Sequence, residues 1–425
     1  MASFHTPPGL SPVKLLHLSN RYPPYSSGTP ERQCRMIVTE LASRGHFNRV
    51  LTSDHVIPSI ADREALAQRR LAVGSYDRES AATFFKLLRN ERRNLRVLDD
   101  ELEQLNPDVV VVWGMAGLSN SMLWELERRG IRVVFAVLDH WPRHRVREDP
   151  WYQWWLSPLP IAPRLVRRAL YSTGYSRVVQ KKLPVRRPTT LRFSRAFFAS
   201  RALRESIRGA GYDVDGSEII PGCIGRDEFP GQSQRRDELR RLLWIGHLDT
   251  DRDPMTAIQA IQELRHNGEM RFSLDIFGRG DVAFESRLHD YLRDSQIAGA
   301  VNIRHTSVED VAALFPTYDL FVFTSRYPEP FPLVLLRAMA ARLPVITTVE
   351  GSCADIVRSG ENALIFRTGD PVDCARKIFQ AAADRSLVEQ MTERAYRDVL
   401  DNYSALTVAG RIERFLGEVC RSRDR

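Results

Sequence analysis

Short apolar runs alternate with longer amphipathic stretches through the first half of the chain. Apolar runs at residues 13–18, 49–52, 107–113 and 131–138 predict buried strands, and the stretches at 80–105 and 119–129 predict helices. In the helix at 80–105, the side chains Phe84, Phe85, Leu87 and Leu88 mark the predicted buried side. Strands that alternate with helices at this spacing indicate a parallel sheet covered on both faces.

The second half repeats this alternation. Strands are predicted at residues 242–245, 272–277, 301–303, 320–323 and 344–348, with a helix at 255–266 and further helices from 371 onward. Residues 222–240 are the best candidate for a linker between the two halves, because they are rich in Gly, Pro, Gln and charged residues. The pattern predicts an α/β protein with two Rossmann-like domains, at 1–221 and 241–402.

Length and composition fit this two-domain arrangement. A chain of 425 residues is too long for one hydrophobic core of ordinary size. Its content of 43% hydrophobic and 27% charged residues is typical of a soluble globular enzyme. No apolar run reaches the ~18 residues of a membrane span, and the first dozen residues do not resemble a signal peptide. The five cysteines lack Cys-x-x-Cys spacing, which disfavours a zinc site and disulfides and predicts a reducing cytoplasmic location.

The formal charge is +8, and 56 of the 61 basic residues are Arg. Arg presents a planar donor fork suited to phosphate, so nucleotide or phospholipid partners are compatible with this bias. A GC-rich genome that favours Arg codons is the other interpretation. Nucleic-acid binding is not expected, because no recognisable binding module accompanies the charge.

The most informative stretch runs from residue 320 to residue 340. A short apolar run predicts a strand at 320–323, and Pro332 stands where a helix can begin. Glu329 therefore lies beyond the carboxyl end of a predicted strand. In open α/β sheets, ligands bind in the crevice at that end.

This stretch resembles the family 4 retaining glycosyltransferases, which belong to the glycosyl transferases group 1. The usual pattern is Glu, seven residues, Glu, then Ala-Met-Ala; here the first position is Glu329 and the second is Arg337. The resemblance implies the GT-B fold, with two Rossmann-like domains facing across a cleft and the helix at 403–425 returning to the first domain. It places the nucleotide-sugar donor in 241–402 and the acceptor in 1–221.

The resemblance also implies roles for individual residues. Glu329, the predicted catalytic carboxylate, would accept hydrogen bonds from the donor sugar, and Phe331, Pro332 and Leu333 would line the donor site. The family's glutamate at the position of Arg337 accepts from ribose hydroxyls, which Arg, a donor-only side chain, cannot do. Three interpretations stay open: another residue grips the ribose, the donor carries extra phosphate or lacks a standard nucleotide, or donor binding has decayed.

Glycine loops supply the remaining donor-site candidates. Gly246-His247 and Arg252 resemble the family's Gly-Arg and Lys positions that meet the donor diphosphate, with a pH-dependent contribution expected from His247. Gly278 ends a predicted strand before a helix, where backbone amides can approach an anion. Gly351 belongs to a similar loop. Each glycine also has an ordinary interpretation as a turn residue.

In the first half, the loop after the first strand resembles the family's Pro-Pro-x-x-Gly-Gly-x-Glu loop. Ser27, Gly28 and Glu31 are its candidates for contacting donor and acceptor, although Gly28 is equally explained by a turn. Asp139 and His140 end the strand at 131–138, where family members often carry a His-Asp pair near the reacting sugar. They are predicted catalytic residues, against a capping Asp and a packed His.

Residues 143–191 depart from the Rossmann rhythm. Within 149–188, Trp151, Tyr152, Trp154 and Trp155 cluster, followed by basic residues that alternate with Leu and Val. This pattern is compatible with peripheral membrane contact or a lipid-linked acceptor. The alternative is a solvated helix whose aromatic side chains pack on the domain.

The predicted function is therefore a retaining glycosyltransferase that moves a sugar from a nucleotide sugar to a hydroxyl acceptor. Neither a metal nor a further cofactor is expected, because cationic side chains and helix ends would neutralise the diphosphate. Two alternatives share the architecture: a catalytically silent nucleotide- or sugar-binding protein, and a phosphorylase or epimerase. The sequence leaves the sugar, the base and the acceptor open among cell-envelope lipids, polysaccharides and small natural products.

Overall fold

The computed structural model describes residues 11–25, 28–73, 79–144, 149–186, 188–229, 238–295, 297, 299–305 and 311–421. The chain divides into two compact units. The first comprises residues 1–199, 203–220 and 409–425, and the second comprises residues 200–202 and 221–408. Each unit is built on one parallel sheet.

The first unit contains a seven-stranded sheet in the order β3-β2-β1-β4-β5-β6-β7. Leu16 of β1 lies opposite Arg49 of β2 and Val110 of β4. The strands are β1 Lys14–Ser19, β2 Phe47–Ser53, β3 Ala67–Leu71, β4 Val109–Gly114, β5 Val133–Val137, β6 Ala196–Phe198 and β7 Glu218–Ile219.

Helices separate these strands in sequence, except that β3 follows β2 without one. They are α1 Thr29–Ser43, α2 Thr83–Leu105, α3 Ser121–Arg128, α4 Trp141–His144, α5 Pro150–Leu156, α6 Ile161–Ser172, α7 Tyr175–Lys182 and α8 Arg201–Gly209. Strand β4 is buried along its whole length, as its continuous valine run predicts.

The second unit contains a six-stranded sheet in the order β10-β9-β8-β11-β12-β13. Leu243 of β8 lies opposite Asp275 of β9 and Phe321 of β11. The strands are β8 Arg241–Ile245, β9 Ser273–Phe277, β10 Val301–Arg304, β11 Leu320–Phe323, β12 Val345–Thr347 and β13 Leu364–Ile365.

The helices of the second half are α9 Pro254–His266, α10 Val282–Asp294, α11 Val311–Leu314, α12 Leu333–Ala340, α13 Cys353–Ile356, α14 Pro371–Ala383, α15 Arg385–Tyr403 and α16 Ala405–Arg421. From residue 409 onward, α16 belongs to the first unit. There Glu413 accepts from Arg44 Nη1 at 2.8 Å and its other oxygen lies 3.2 Å from His46 Nε2. The predicted fold of two parallel-sheet α/β domains is confirmed.

Strand order decides where each unit can bind a ligand. In the first sheet β1 lies between β2 and β4, and in the second β8 lies between β9 and β11, so the chain reverses direction across the sheet at these strands. The loops that leave neighbouring strands there diverge and open a crevice at the carboxyl ends. The candidate site residues follow these strands.

Several expectations need correction or completion. Phe85 does not belong to the buried side of α2, since its side chain is 64% exposed. Strand β3 and the short helices α4 and α11 are additional to the predicted elements. Within the segment predicted as linker, Ile224 is fully buried, and its amide donates to Tyr403 O at 2.8 Å. Among the described residues, no helix combines the length and apolar character of a membrane span.

Candidate active site

Glu329 lies in the loop between β11 and α12 and is buried. Its Oε1 atom is 2.8 Å from Arg252 Nη1 and accepts from Ser325 Oγ at 3.4 Å. Burial raises the pKa of Glu329 above its ordinary value, Arg252 and Ser325 oppose that shift, and Asp249 adds to it. The carboxylate is therefore stabilised in its charged form mainly by one cation.

Arg252 follows β8 and is itself held in place. Its backbone amide donates to Asp249 Oδ1 at 2.7 Å, and its guanidinium lies 4.7 Å from the centre of the Tyr327 ring. The guanidinium thus contacts both an aromatic face and a carboxylate. A fixed cation of this kind can bind phosphate oxygens without reorganising.

Backbone hydrogen bonds join the loops that follow β8 and β11. Asp251 O accepts from the amides of Arg326 at 2.8 Å and Tyr327 at 3.1 Å. Asp253 caps α9, and its Oδ2 lies 2.6 Å from Arg326 Nε. These contacts bring the sequence-predicted residues Arg252 and Glu329 together although 77 positions separate them in the chain.

Gly351 packs directly on the Glu329 loop. A Cβ atom at Gly351 would lie 2.5 Å from Pro328 C, and its φ of +60° also favours glycine. The neighbouring Ser352 donates from its Oγ to Glu329 O at 2.7 Å and from its amide to the same oxygen at 3.1 Å. The structure therefore gives Gly351-Ser352 a role in fixing the Glu329 backbone.

Gly246 and Gly278 lie at the ends of adjacent strands, and the sequence suggested that backbone amides of the Gly278 loop could approach an anion. The amide of Gly278 itself is occupied, since it donates to Arg304 O at 3.1 Å, and Gly246 N likewise donates to Phe277 O at 3.1 Å. A Cβ at Gly278 would lie 2.1 Å from Gly246 O, so the glycines permit close packing of the two loops. His247 is exposed beside them.

Phe331, Pro332 and Leu333 lead from Glu329 into α12. Pro332 is the N-cap of the helix, and its carbonyl accepts from the amide of Leu335 at 3.0 Å. Leu333 is buried and Phe331 half-buried in the same apolar cluster. These three residues thus connect the Glu329 loop to the buried start of α12.

Arg337 lies one turn further along α12 and does have a carboxylate beside it. Its Nε atom donates to Glu228 Oε2 in an ion pair whose two side chains are largely covered. The other oxygen of Glu228 accepts from the amide of Gly225 at 3.3 Å. Sequence reasoning missed Glu228, since it lies 109 residues from Arg337 with no periodic pattern to connect them.

The first unit contains a separate cavity of about 750 Å³ at the carboxyl ends of β1, β4 and β5. Gly28, Glu31 and Asp139 line it, as does Arg21, which sequence reasoning missed although it is the second residue after β1. Ser27 lies outside the described residues. Other lining residues include Ser19, Asn20, Tyr25, Trp113, Gly114, Met115 and Trp141.

Glu31 and Asp139 are the carboxylates of this cavity. Burial raises the pKa of Glu31, and the charge of Asp139 adds to the shift while Arg21 opposes it. A Cβ at Gly28 would lie 2.2 Å from Glu31 Oε2, so glycine leaves the space that this carboxylate occupies. Asp139 Oδ1 also accepts from Trp141 N at 2.9 Å, the capping contact that the sequence offered as its alternative.

His140 is not among the residues that line the cavity. Its Nδ1 atom lies 3.5 Å from Ser206 Oγ. Burial, with smaller contributions from His144 and Arg143, lowers the pKa of His140. Within the described residues, no group of three or more His, Cys, Asp or Glu side chains is arranged to hold a metal ion.

The tryptophans of the 149–188 segment are core residues. Trp151, Trp154 and Trp155 are buried with Phe84, and Phe84 lies 4.6 Å from Trp154 between ring centres. The alternative in which the aromatic side chains pack on the domain therefore describes these three residues.

Part of the chain is similar to a known protein family. Residues 225–398 match the model of the family described as glycosyl transferases group 1. An uncharacterised glycosyltransferase of Methanocaldococcus jannaschii is 28% identical over 178 residues, 40% of this chain, and the chain spans only 42% of the length of that relative.

Solved structures show the likeness of fold over nearly the whole chain. A glycosyltransferase from Rickettsia africae superposes with a TM-score of 0.67 at 14% identity, over 97% of this chain and 100% of that one. HepE from Anabaena, solved in complex with UDP and glucose, gives 0.65 at 15% identity, over 95% and 99%. The segment that carries Arg252, Glu329 and Arg337 thus matches the glycosyl transferases group 1 family, and the chain has the GT-B fold of these solved structures.

Proposed function

We propose that this protein is a retaining glycosyltransferase that transfers a sugar from a nucleoside diphosphate sugar to a hydroxyl acceptor. The observation that carries the proposal is the buried Glu329 carboxylate, 2.8 Å from Arg252 at the reversal point of the second sheet. Both residues lie inside the segment matched by the family model. The structurally similar HepE, solved with UDP and glucose, supports a nucleoside diphosphate sugar as the donor.

In this proposal Arg252 binds the diphosphate, and Glu329 accepts hydrogen bonds from hydroxyls of the donor sugar. Together they hold the anomeric carbon in a reactive position, a contribution that can be a large part of a barrier. The bond from the anomeric carbon to the leaving phosphate oxygen breaks as the acceptor oxygen attacks from the same face. The acceptor proton passes to the departing phosphate, and the configuration is retained.

His247, Gly246, Gly278 and Gly351 remain in the proposed donor site with different tasks. His247 is exposed and could add a second cation, whereas the glycines shape the loops that carry Arg252 and Glu329. The scheme uses side-chain cations for the diphosphate and calls for no additional cofactor or metal.

Glu228 is the proposed ribose ligand. Arg337 stands where the family carries a carboxylate, and the structure brings the Glu228 carboxylate to the Arg337 guanidinium. Each ribose hydroxyl can donate to a carboxylate oxygen and accept from a guanidinium N–H, so the pair offers both partners that a vicinal diol needs. This arrangement is the first of the three interpretations that Arg337 left open.

The cavity of the first unit is the proposed acceptor site. Its carboxylates Glu31 and Asp139 can accept hydrogen bonds from acceptor hydroxyls, and Arg21 can donate. Asp139 and His140 are the predicted catalytic residues of this unit, and of the two only Asp139 lines the cavity. All five cysteines are free thiols, as expected for the proposed cytoplasmic location.

The test is a panel of UDP, GDP, ADP and TDP sugars, read by nucleotide release in the presence of mixed acceptors. We expect one donor class to be consumed and Glu329→Gln to lower turnover at least a hundredfold, on the scale of lost transition-state contacts. Glu361→Gln, which makes the same change at an exposed carboxylate paired with Arg358, is the matched control. Release at an equal rate by the Glu329 variant would contradict the proposal.

The ribose role has its own readout. Calorimetric binding of the preferred nucleoside diphosphate and of its 2′-deoxy form should differ about tenfold in the natural chain, the loss expected for one hydrogen bond to a charged group. In Glu228→Gln this difference should shrink. Equal discrimination in both proteins would place the ribose elsewhere while leaving the transferase proposal standing.

A catalytically silent nucleotide-binding protein is the second candidate, favoured by the substitution of Arg337 for the family carboxylate and of His247 for the family arginine. It predicts calorimetric binding of a nucleotide sugar with neither transfer nor slow hydrolysis of the donor. Any Glu329-dependent release of nucleotide excludes it.

A further inference from the structure

The positive charge of this protein is concentrated in one segment. The chain contains 61 basic and 53 acidic residues, for a formal charge of +8. Residues 150–187 contain eight basic residues and no acidic residue, so the remainder of the chain carries 53 of each and is formally neutral. Codon bias towards Arg raises the number of basic residues everywhere, but it does not explain the complete lack of carboxylates in this segment.

The segment is helical and packs on the core of the first unit. Helices α6 and α7, here called the basic hairpin, follow the tryptophan helix α5. Val166 and Leu170 of α6 and Val179 of α7 pack on the cluster around Phe84 and the three tryptophans. Tyr171 packs edge-on against Trp155, with ring centres 5.8 Å apart. The inner face of the hairpin is thus fixed to the domain core.

The outer face of the basic hairpin combines exposed aliphatic and basic side chains. Ile161, Leu165 and Val178 are 68%, 60% and 56% exposed, and Leu156 at the end of α5 is 54% exposed. Ile161 and Leu165 are one helical turn apart on α6, and Arg168 continues the same stripe. The exposed basic side chains of the hairpin are Arg164, Arg168, Arg177, Lys181 and Lys182.

These five side chains differ from Arg167 and Arg186, the other basic residues of the segment that the structure describes. Arg167 donates to the carbonyls of Trp154, Trp155 and Ser157, and so joins α6 to the end of α5. Arg186 is paired with Glu127 and lies over the Trp124 ring. Within the part of the chain that the structure describes, none of the five exposed residues forms an ion pair with an acidic side chain.

We propose that the outer face of the basic hairpin binds the surface of a bilayer that contains anionic lipid. Basic side chains at this face are attracted to anionic headgroups, and adjacent aliphatic side chains can enter the boundary between headgroups and acyl chains. A hydrated soluble polyanion would satisfy the charges but would leave Ile161, Leu165 and Val178 without an apolar partner. The contact surface therefore differs from the tryptophan cluster, which is buried in the core.

This inference is independent of the proposed transfer reaction. The experiment is cosedimentation of the full chain with vesicles of phosphatidylcholine alone and of phosphatidylcholine with phosphatidylglycerol, at low and high salt. We expect binding only to the anionic vesicles, weakened by salt. Each basic residue near such a surface strengthens partitioning about fivefold, so Arg164→Gln/Lys181→Gln/Lys182→Gln should weaken it about a hundredfold.

The matched control is Arg89→Gln/Arg92→Gln/Arg96→Gln on the exposed face of α2, which removes the same charge and should leave partitioning unchanged. Ile161→Ser/Leu165→Ser, which keeps every charge, should also weaken binding. Circular dichroism checks folding, and Lys181→Gln/Lys182→Gln serves if the triple variant unfolds. No binding to anionic vesicles at low salt, an equal loss in the control, or an unchanged serine variant would overturn the proposal.

Discussion

Arg252 Nη1 lies 2.8 Å from Glu329 Oε1, and the same guanidinium lies over the Tyr327 ring at 4.7 Å. A cation between an aromatic face and a buried carboxylate is oriented before any ligand arrives. Burial raises the pKa of Glu329 and Arg252 opposes that shift, so the cation favours the charged form of the carboxylate. In the proposed reaction one residue would thus both bind the diphosphate and favour the charged form of its neighbour.

Arg252→Ala tests this double role. Loss of a charge-assisted contact to the diphosphate should weaken nucleotide-sugar binding about tenfold to a hundredfold, and Arg252→Lys should restore part of it. The pH profile should also change, because without Arg252 the pKa of Glu329 rises further and activity is retained only at higher pH. Calorimetry and a pH series of nucleotide release measure the two effects. An unchanged pH profile would show that Arg252 acts on the ligand alone.

The pair of Arg337 and Glu228 predicts a stability coupling that is separate from ligand binding. Removal of either side chain leaves a largely covered charge without its partner, so Arg337→Gln and Glu228→Gln should each lower the free energy of unfolding by about 1–3 kcal/mol. The double variant should lose less than the sum of the two changes. Urea unfolding measures the cycle; strict additivity would mean that the ion pair contributes nothing.

Gly351→Ala should disturb the site through packing. Its Cβ would meet Pro328 C at 2.5 Å, so the loop that carries Glu329 must move, and both stability and turnover should fall. Gly360→Ala is the matched control, since Gly360 also has a positive φ, +78°, but no atom within 4 Å of the added Cβ. The control should lose only the roughly 1–2 kcal/mol of left-handed strain and keep its turnover. Equal turnover in the two variants would show that Gly351 does not influence the geometry of the site.

Local patterns account for what the sequence predicted well. Glu329 could be placed because a short apolar run, a Pro and an amphipathic helix are each visible within about twenty residues. The exposed Phe85 shows the value of a stricter helical period: Phe84, Leu87 and Leu88 share one side of α2, and Phe85 lies about 100° away. The same period places Trp151, Trp154 and Trp155 on one buried face, so their role in the core was available from the sequence.

Polar contacts between residues far apart in the chain could not be predicted from local sequence patterns. Arg337 could be recognised as unusual, but the position of Glu228 depends on how the segment after residue 221 folds back on α12. The occupied amides of Gly246 and Gly278 likewise depend on pairing between β8, β9 and β10. A charge or an amide carries no periodic pattern that identifies its partner across a hundred residues, whereas an apolar face does.

Glu91 predicts a decline of stability with rising pH. It is buried on α2 and accepts from Ser121 Oγ at 2.5 Å, and burial, with the charge of Asp149, raises its pKa from 4.5 to about 8. The folded state therefore holds this proton more tightly than the unfolded state. Its stabilising contribution is complete below pH 4.5 and is lost as the pH rises to about 8.

Glu91→Gln keeps a hydrogen-bonding amide at this position and cannot ionise, so most of the decline should disappear. A smaller decline should remain, because burial also raises the pKa of Asp149 from 3.8 to about 6. Glu103→Gln, on the exposed side of the same helix, is the control and should keep the natural pH dependence. Urea unfolding across the range from pH 4.5 to 8 gives the measurement. If the Glu91 variant declined as steeply as the natural chain, another group would hold the proton.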